Sequence, residues 1–488
     1  MIRRTSAILA LALLAALSGA PASAQVDTGN ADFSRYVAVG DSLTAAIVSG
    51  GWLDKFQVNS YPALLHRQAT GGAGGFEQPL MGAPGVTPPF FLANLVPPVF
   101  GTEPGIGQPT NLFLPRPYNN LGVPGATVGD TLRTITEGGM GPHDLVLRGQ
   151  GTALQQAVVQ QPTFVTLFIG NNDALAAATS GVVIDGVTLT TAASFESDYR
   201  TVAGALASTG ADLVFFTIPE VTVIPFVTTI PPVVVDPATN QPVQGPNGLI
   251  PLIGPNGPLA LNDHVLLTAG SLLARGIGVP RAVGGTGQPL PTQVVLDAAE
   301  TATISSRVAA FNATIRQAAA DFGALLFDFN GLFNRIAAEG AVVGGVDYTS
   351  DFLSGGFFSY DGVHATPFGY AFLANELIKA INQNFDAHIP QVGLGPFVFG
   401  EFQLDPRAAL FQAATASSRT VLTEDALGNL RYLGMEIPKF TVATGGETPA
   451  ADEPTGGDEA TSGDGDSGNG GAATGGRRGG RNRNLDRD

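Results

Sequence analysis

The 488-residue sequence contains no cysteine and only five histidines. The absence of cysteine excludes a disulfide scaffold, a zinc–thiolate site, an iron–sulfur cluster and a cysteine nucleophile. The histidines are widely separated: the closest two, His364 and His388, are 24 residues apart, and no His-x-His pair occurs. A metallophosphatase needs several histidines that converge on its metals, so the sequence argues against that class of enzyme.

Basic residues are scarce as well. Lys and Arg number 24 against 41 Asp and Glu, which gives a formal net charge of −17, and only three of the basic residues are lysines. A chain of this sign repels phosphate backbones and offers no basic field to anionic lipid, so we expect no nucleic-acid partner. Charged residues make up 13% of the chain and hydrophobic residues 44%. Most of the chain should therefore fold around a sizeable core.

The sequence also lacks an apolar run that could cross a membrane, because the longest candidate, residues 213–235, is interrupted by four prolines. The first 24 residues contain two early arginines, a short apolar run over 7–17 and the small residues Ala22-Ser23-Ala24. This pattern is typical of a secretory signal and is too short for a membrane anchor. We predict cleavage before Gln25 and export to a periplasmic, cell-surface or extracellular location.

The composition changes again near the other end. Residues 445–488 consist mostly of Gly, Ala, Thr, Ser and charged residues, and Leu485 is their one large apolar side chain. Such a segment cannot bury enough apolar surface to fold, so we predict a disordered Gly-rich tail. Its arginines lie beside glycines, as in some RNA-binding tails, but the acidic residues before them favour a solvated tail.

Strand-like and helix-like segments alternate between these ends. Apolar runs predict strands at 36–39, 164–169, 213–218 and 325–329, and helical periodicity recurs at about 152–160, 192–208, 303–322 and 366–383. This alternation predicts an α/β fold in which helices cover both faces of a parallel sheet. Two Pro/Gly-rich intervals, about 71–118 and 219–295, interrupt the pattern, and neither is typical of a helix. Intervals of this length are commonly lids, binding loops or decoration.

Polar clusters follow the strands, where the chemistry of such a sheet is expected. The three clusters are Gly40-Asp41-Ser42-Leu43, Gly170-Asn171-Asn172-Asp173 and Asp361-Gly362-Val363-His364. A serine after a strand is often only a helix cap, and the second cluster would pass for a turn. His364 is more informative, because it alone among the histidines has an aspartate three positions before it. That carboxylate can hold the imidazole by its Nδ1 proton and leave Nε2 free as a base.

Together with Asn120-Leu121-Gly122-Val123-Pro124-Gly125-Ala126-Thr127, these clusters resemble, in order, the four sequence blocks of the SGNH hydrolases, also called GDSL esterases and lipases. The likeness extends over about 33–385. It implies a three-layer α/β/α sandwich with a central parallel sheet, of the flavodoxin-like kind, and a hydrolase domain at 25–385. The two long intervals and an extension at 386–444 exceed a minimal member of the family.

The resemblance assigns roles to five residues. Ser42 is the implied nucleophile, and Asp361 and His364 complete a catalytic triad. The backbone N–H groups of Ser42 and Gly125 and the side-chain amide of Asn172 are the implied oxyanion-hole donors. The residue types agree with these roles, because a serine hydroxyl needs a base to remove its proton and a glycine allows close approach of backbone to substrate. Such a mechanism uses neither metal nor organic cofactor, and we expect none.

We therefore predict an exported serine hydrolase that cleaves carboxylic esters through an acyl-enzyme. The Gly-x-Ser-x-Gly elbow of the α/β-hydrolases is absent around Ser42. A non-catalytic exported surface or carbohydrate-binding protein on a hydrolase fold is the alternative of another class, although every implied catalytic position is filled.

The two long intervals favour lipid or other acyl esters as substrates. They carry many large apolar residues, among them Phe90, Phe91, Ile224 and Phe226. Apolar loops that leave the catalytic face could close over an acyl chain. Two alternatives stay open: the loops pack on each other as a satellite core or an oligomer interface, or the substrate is an acetyl-sugar ester.

Overall fold

A computed structural model of the chain describes residues 26–95, 98–398 and 421–423. The predicted signal at 1–24 and the predicted tail at 445–488 lie outside these residues, as does most of the predicted extension at 386–444. The architecture is therefore that of the central part of the chain.

Five parallel strands form the central sheet, in the spatial order β5-β4-β3-β1-β2. They are β1 (Tyr36–Gly40), β2 (Asn120–Gly122), β3 (Phe164–Phe168), β4 (Asp212–Phe216) and β5 (Leu325–Phe327). All residues of β1 and β3 are buried, as expected of parallel strands that are covered on both faces. The four strands expected from apolar runs are present, and β2 is the one that the pattern did not predict.

Helices are distributed along the chain between these strands. Among the described residues, the helices of seven residues or more are α1 (Tyr61–Thr70), α2 (Ala153–Val159), α3 (Asn172–Ser180), α4 (Ala192–Ala207), α5 (Ala298–Phe322), α6 (Phe329–Glu339) and α7 (Pro367–Phe385). Shorter α-helices are Ser42–Ala45, Asp54–Gln57, Val128–Arg133, Pro142–Leu147, Pro225–Thr228, Gly270–Ala274 and Gly395–Val398. Single 3₁₀ turns are Phe33–Arg35, Val221–Val223, Leu267–Ala269, Arg281–Val283 and Thr292–Val294.

The helices cover both faces of the sheet. Phe215 and Phe216 are consecutive in β4, so their side chains point to opposite faces. The Phe216 ring lies 5.5 Å from that of Tyr61 in α1, and the Phe215 ring lies 5.9 Å from that of Tyr199 in α4. Helix α7 packs on α1, whereas α2 and α5 pack on α4. These contacts make a three-layer α/β/α sandwich, and the predicted fold class is confirmed.

The predicted strand ends differ from the observed ones by one or two residues, and one of these differences concealed the start of a helix. The apolar run at 325–329 predicted a strand through Phe329, but β5 ends at Phe327 and α6 begins at Phe329. The side chain of Asp328 caps the new helix by accepting the Gly331 N–H at 3.3 Å. A capping aspartate thus converts the end of the apolar run into the first turn of a helix.

The two long intervals contain short strands outside the central sheet. In the first, Phe90–Leu95 pairs with Pro98–Thr102 in a hairpin, which Val421–Leu422 extends in parallel. Two-residue strands of the second interval are Val235–Asp236, Gln241–Pro242, Gln244–Gly245, Gly248–Leu249, Ile253–Gly254, Gly257–Pro258, His264–Val265 and, joining from the end of the interval, Val295–Leu296. The second interval also includes two short helices that the pattern did not predict, at 225–228 and 270–274. A separate hairpin joins Ala341–Val343 to Val346–Tyr348.

Apolar residues of both intervals pack into the hydrophobic core. Phe90, Ile224 and Phe226 belong to the main buried cluster, whereas Phe91 is 42% exposed. Phe90 and Phe226 are therefore engaged with the protein itself rather than open to an acyl chain. Within the described ranges, we find no helix with the length and apolar character that crossing a bilayer requires.

Candidate active site

The site lies where the strand order of the sheet reverses. After β1 the chain adds β2 on one side of it and then β3 on the other. Open α/β sheets form a crevice at the carboxyl ends of their strands at such a point. Ser42 follows β1, Gly125 follows β2 and Asn172 follows β3. The topology therefore brings these three segments to one crevice.

The turn that carries Ser42 depends on a glycine at the end of β1. A Cβ atom at Gly40 would lie 2.1 Å from Thr44 Oγ1 and 2.5 Å from the Phe168 carbonyl oxygen. Without a side chain, the backbone can pass between β3 and the short helix that begins at Ser42. Ser42 is 6% exposed, at the edge of the crevice.

Asp41 ties this turn to the turn after β3. Its carboxylate accepts the Leu43 N–H at 3.0 Å and a bond from Asn171 Nδ2 at 2.7 Å. Burial raises the pKa of Asp41 to about 6, although the bond from Asn171 opposes the shift. Asp41 and Asn171 precede Ser42 and Asn172 in the chain, so the bond between them holds those two residues in register.

Ser42, His364 and Asp361 form a continuous chain of hydrogen bonds. Ser42 Oγ lies 2.9 Å from His364 Nε2, and His364 Nδ1 lies 2.8 Å from Asp361 Oδ2. All three residues are buried. These distances suit a base that removes the serine proton while a carboxylate fixes its tautomer. The structure brings the three residues together although 322 positions separate Ser42 from His364.

Asp361 accepts several hydrogen bonds besides that of the imidazole. The N–H groups of Val363 and His364 donate to Oδ1 at 2.9 and 2.8 Å, and the Gly50 N–H donates to Oδ2 at 2.6 Å. Burial alone would raise the pKa of Asp361, but the charge and hydrogen bonds of His364, with those of the backbone, hold it below its ordinary value. Asp361 is therefore an ionised acceptor that orients the imidazole.

Ser49 supports this aspartate, and the sequence analysis did not single it out. Its backbone is left-handed, with φ 53°, and its side chain is fully buried. The Ser49 N–H donates to Ser359 Oγ at 2.8 Å, and Ser359 Oγ lies 3.3 Å from Asp361 Oδ1. The signal in the sequence was the adjacent pair Gly50-Gly51, which indicates a turn but not its contact.

Gly125 and Asn172, the other implied oxyanion donors, meet at the ends of β2 and β3. Gly125 has φ 82°, in the left-handed region that favours glycine. Asn172 Nδ2 donates to the carbonyl oxygen of Ala126 at 2.9 Å. Because a side-chain amide carries two N–H groups, this bond leaves one of them for a further acceptor. The Asn172 amide is thus fixed beside the Gly125 turn.

Asp173 is a structural group of the same turn. Its Oδ2 accepts the Val128 N–H at 2.9 Å, which joins the turn after β3 to the helix that follows Gly125. The side chain is buried, and burial raises the pKa of Asp173 to about 7, although the bond from Val128 opposes the shift. Asp173 therefore links two of the three segments of the crevice.

Metal ligands do not converge in the part of the chain that the structure describes. No group of three or more His, Asp or Glu side chains there is placed to hold a metal ion. His143 pairs with Glu137 and His388 pairs with Asp27, so each of these histidines has its own carboxylate partner, distinct from that of His364. The carboxylate-paired histidines are thus dispersed rather than clustered.

A comparison with protein-family models finds a match over most of the chain. The model of the family described as GDSL-like Lipase/Acylhydrolase matches residues 36–377, which include all five candidate site residues. No curated protein matches the sequence at a significant level.

Two solved structures are among those similar to this chain. A lipase/acylhydrolase from Enterococcus faecalis is 14% identical over 56% of this chain and 78% of its own, with a TM-score of 0.25. LAE5, an alpha/beta hydrolase enzyme from the metagenome of Lake Arreo, Spain, is 16% identical over 72% of this chain and 96% of its own, with a TM-score of 0.34.

Proposed function

The chain belongs to the GDSL-like lipase/acylhydrolase family and is a hydrolase that acts on esters, and from this premise we propose that it works through an acyl-enzyme on Ser42. The observation that carries the proposal is the hydrogen-bonded chain from Ser42 Oγ through His364 to Asp361, at 2.9 and 2.8 Å. Family membership and the filled site argue against the non-catalytic surface protein considered above.

In the first step, His364 Nε2 accepts the proton of Ser42 as the serine oxygen bonds to the ester carbonyl carbon. The imidazole becomes positively charged, and ionised Asp361 stabilises that charge. The carbonyl oxygen becomes negative and accepts hydrogen bonds from the backbone N–H groups of Ser42 and Gly125 and from the free amide N–H of Asn172. Donors that are already fixed at this position stabilise the transition state without reorganisation.

Collapse of the tetrahedral intermediate then breaks the bond to the alcohol. His364 donates its Nε2 proton to the leaving oxygen, and the acyl group stays on Ser42. A water molecule next gives a proton to His364 and attacks the acyl carbon. The same oxyanion donors act again, and the proton returns to Ser42 as the carboxylic acid leaves.

We further propose that the enzyme acts outside the cytoplasm. The support is the early arginines, the apolar run at 7–17 and the small residues at 22–24, a pattern typical of a cleaved secretory signal. Mass spectrometry of the secreted or periplasmic protein should find Gln25 as its first residue. An intact Met1 on the exported protein would contradict cleavage.

A serine-reactive fluorophosphonate tests the proposed nucleophile. The wild-type protein should be labelled on Ser42 and should hydrolyse p-nitrophenyl butyrate, whereas Ser42→Ala should lose both properties while it melts normally. Ser34→Ala is the matched control, because Ser34 is exposed and outside the site, and it should keep both. A folded Ser42→Ala protein that hydrolyses the ester at the wild-type rate would overturn the proposal.

A further inference from the structure

An apolar cavity of about 80 Å³ lies beside the catalytic residues. Helix α6 forms one wall with Leu332, Phe333 and Ile336, and Phe357 and Phe372 line it from the segment around His364 and from α7. We call this cavity the side chamber. It is built mainly from α6 and α7, and of the long intervals only the start of the second contributes to its wall.

The chamber is lined by the immediate chain neighbours of Ser42 and His364, although neither of these two residues lines it. Leu43 follows Ser42, and Val363 and Ala365 flank His364; all three line the chamber, and all three are partly exposed. A substrate group in the chamber would therefore lie next to the ester bond that Ser42 attacks.

The side chains that line the chamber are almost all apolar. Tyr370 supplies the one hydroxyl among the lining side chains, and that hydroxyl donates to the Ile47 carbonyl oxygen at 2.7 Å. No charged side chain lines the chamber. A sugar placed here would lose its hydrogen bonds to water without replacement, whereas a hydrocarbon chain would gain by leaving water.

The volume limits the length of that chain. A dry cavity known to bind a benzene ring, with its six carbon atoms, measures about 150 Å³. At the same volume per carbon atom, the 80 Å³ of this chamber accommodate about three carbon atoms. The fit is therefore to a short alkyl chain rather than to an aromatic ring or a long fatty chain.

We propose that the side chamber binds a short alkyl chain of the ester and that the enzyme prefers short-chain esters to long-chain lipids and acetylated sugars. The proposal rests on the function proposed above, because it places the chain relative to the bond cleaved at Ser42. The chain belongs either to the acyl group or to the alcohol of the ester, which offer the chamber the same chemistry.

Two series of esters, assayed on the full-length protein, distinguish these sources. One varies the acyl group of p-nitrophenyl esters from acetyl through butyryl and hexanoyl to decanoyl; the other varies the alcohol of alkyl acetates over the same lengths. In one series kcat/KM should rise about fourfold for each methylene that enters the chamber. The rise should stop at about three added carbons, when the chamber is full.

Variants of α6 test whether the chamber sets this limit. Leu332→Ala enlarges the chamber and should move the best chain length upward, and Leu332→Phe fills it and should move that length downward. Leu206→Ala is the matched control, because Leu206 is equally a buried leucine, in α4 on the other face of the sheet. It should lower the melting temperature and leave the profile of chain lengths unchanged.

The outcomes separate the two proposals. The proposed role of the chamber would be wrong if hydrolysis depended on Ser42 but kcat/KM did not change with chain length in either series. It would also be wrong if kcat/KM continued to rise up to the longest chain. Both results would leave the proposed function intact. The same dependence of kcat/KM on chain length in wild type, Leu332→Ala and Leu332→Phe would also contradict the proposed role of the chamber. Failure of the folded enzyme to hydrolyse any ester of either series would overturn the proposed function and, with it, the chamber.

Discussion

Two adjacent asparagines after β3 make different contacts and should contribute differently. Asn172 donates to the Ala126 carbonyl and has a second amide N–H, which we propose donates to the oxyanion. Asn171 donates instead to Asp41 Oδ2, within the structure that supports the nucleophile. Substitutions at both positions remove a buried hydrogen bond, and they should differ in how strongly they reduce turnover.

Asn172→Ala should lower kcat about 10²–10³-fold and change KM little, since a donor to the oxyanion acts mainly in the transition state. Steady-state kinetics with p-nitrophenyl butyrate and a thermal melt of the same sample measure both effects. The buried Ala126 carbonyl oxygen loses its partner, so the free energy of unfolding should also fall by about 1–3 kcal/mol, while the protein stays folded under assay conditions.

Asn171→Ala is the neighbouring comparison. It removes a partner from the buried Asp41 carboxyl, so the free energy of unfolding should fall by about 1–3 kcal/mol, with a smaller loss of kcat than at Asn172. If Asn172→Ala reduced turnover only in proportion to its unfolded fraction, its oxyanion role would be wrong.

The residues proposed to carry the chemistry were indicated by the sequence, because each proposed role requires a particular residue type. Asp361 and His364 were indicated by their spacing, and Ser42 and Asn172 by the order of the motifs. Ser49 could not be predicted in this way. Its contribution depends on a left-handed backbone and on a bond to Ser359, which is 310 positions away.

Among the elements, those with a clear apolar period could be predicted, but their ends could not. Periodicity predicted a helix at 303–322, whereas α5 begins at Ala298. The earlier start comes from a capping box, in which Asp297 accepts the Glu300 N–H at 2.8 Å and Glu300 accepts the Asp297 N–H at 2.9 Å. The residues of the first turn of α5 are small or polar, so they do not contribute to the apolar periodicity from which the helix was predicted.

Helix α6 was missed although its pattern was present. Phe329, Leu332, Phe333 and Ile336 have the spacing i, i+3, i+4, i+7, which is typical of one face of a helix. The apolar run of β5 continues into Phe329 and concealed the boundary at Asp328. This helix lines the side chamber that we propose binds the alkyl chain of the ester.

On the scale of the whole molecule, the position of apolar surface could not be inferred from local patterns. The long intervals looked suited to an acyl chain, yet Phe90 and Phe226 pack into the core. The apolar chamber beside the site forms where α6, α7 and the segment around His364 meet. Only tertiary packing decides which apolar residues are covered by protein and which face a cavity.

The fold also buries carboxyl groups whose ionisation should affect stability. Burial raises the pKa of Asp173 to about 7, above its ordinary value near 3.8. Between these values the native state binds more protons than the unfolded state, so this group makes stability fall as the pH rises. Below about pH 4 the carboxyl is protonated in both the native and the unfolded state. Above about pH 7 it is ionised in both states, and the native state bears the full free-energy cost of burying the charge.

Asp173→Asn removes this dependence, because the amide resembles the protonated acid and can still accept the Val128 N–H. Relative to wild type, the free energy of unfolding of Asp173→Asn should increase by about 2–3 kcal/mol between pH 5 and pH 8. Urea unfolding at the two pH values measures the change. Glu196→Gln, at an exposed position in α4, should show no such change. If the difference in free energy of unfolding between Asp173→Asn and wild type were the same at both pH values, burial would not raise the pKa of Asp173.

We propose that Ser42 and His364 act as one catalytic unit, and a double-mutant cycle on kcat/KM for p-nitrophenyl butyrate measures whether they do. Ser42→Ala and His364→Ala should each reduce kcat/KM by about 10⁴–10⁶-fold, and the double variant should lose little more, because either change alone disables the proton transfer. Far-UV circular dichroism of each variant excludes unfolding as the cause. Losses that add in free energy, or a His364→Ala enzyme with near wild-type activity, would contradict the account.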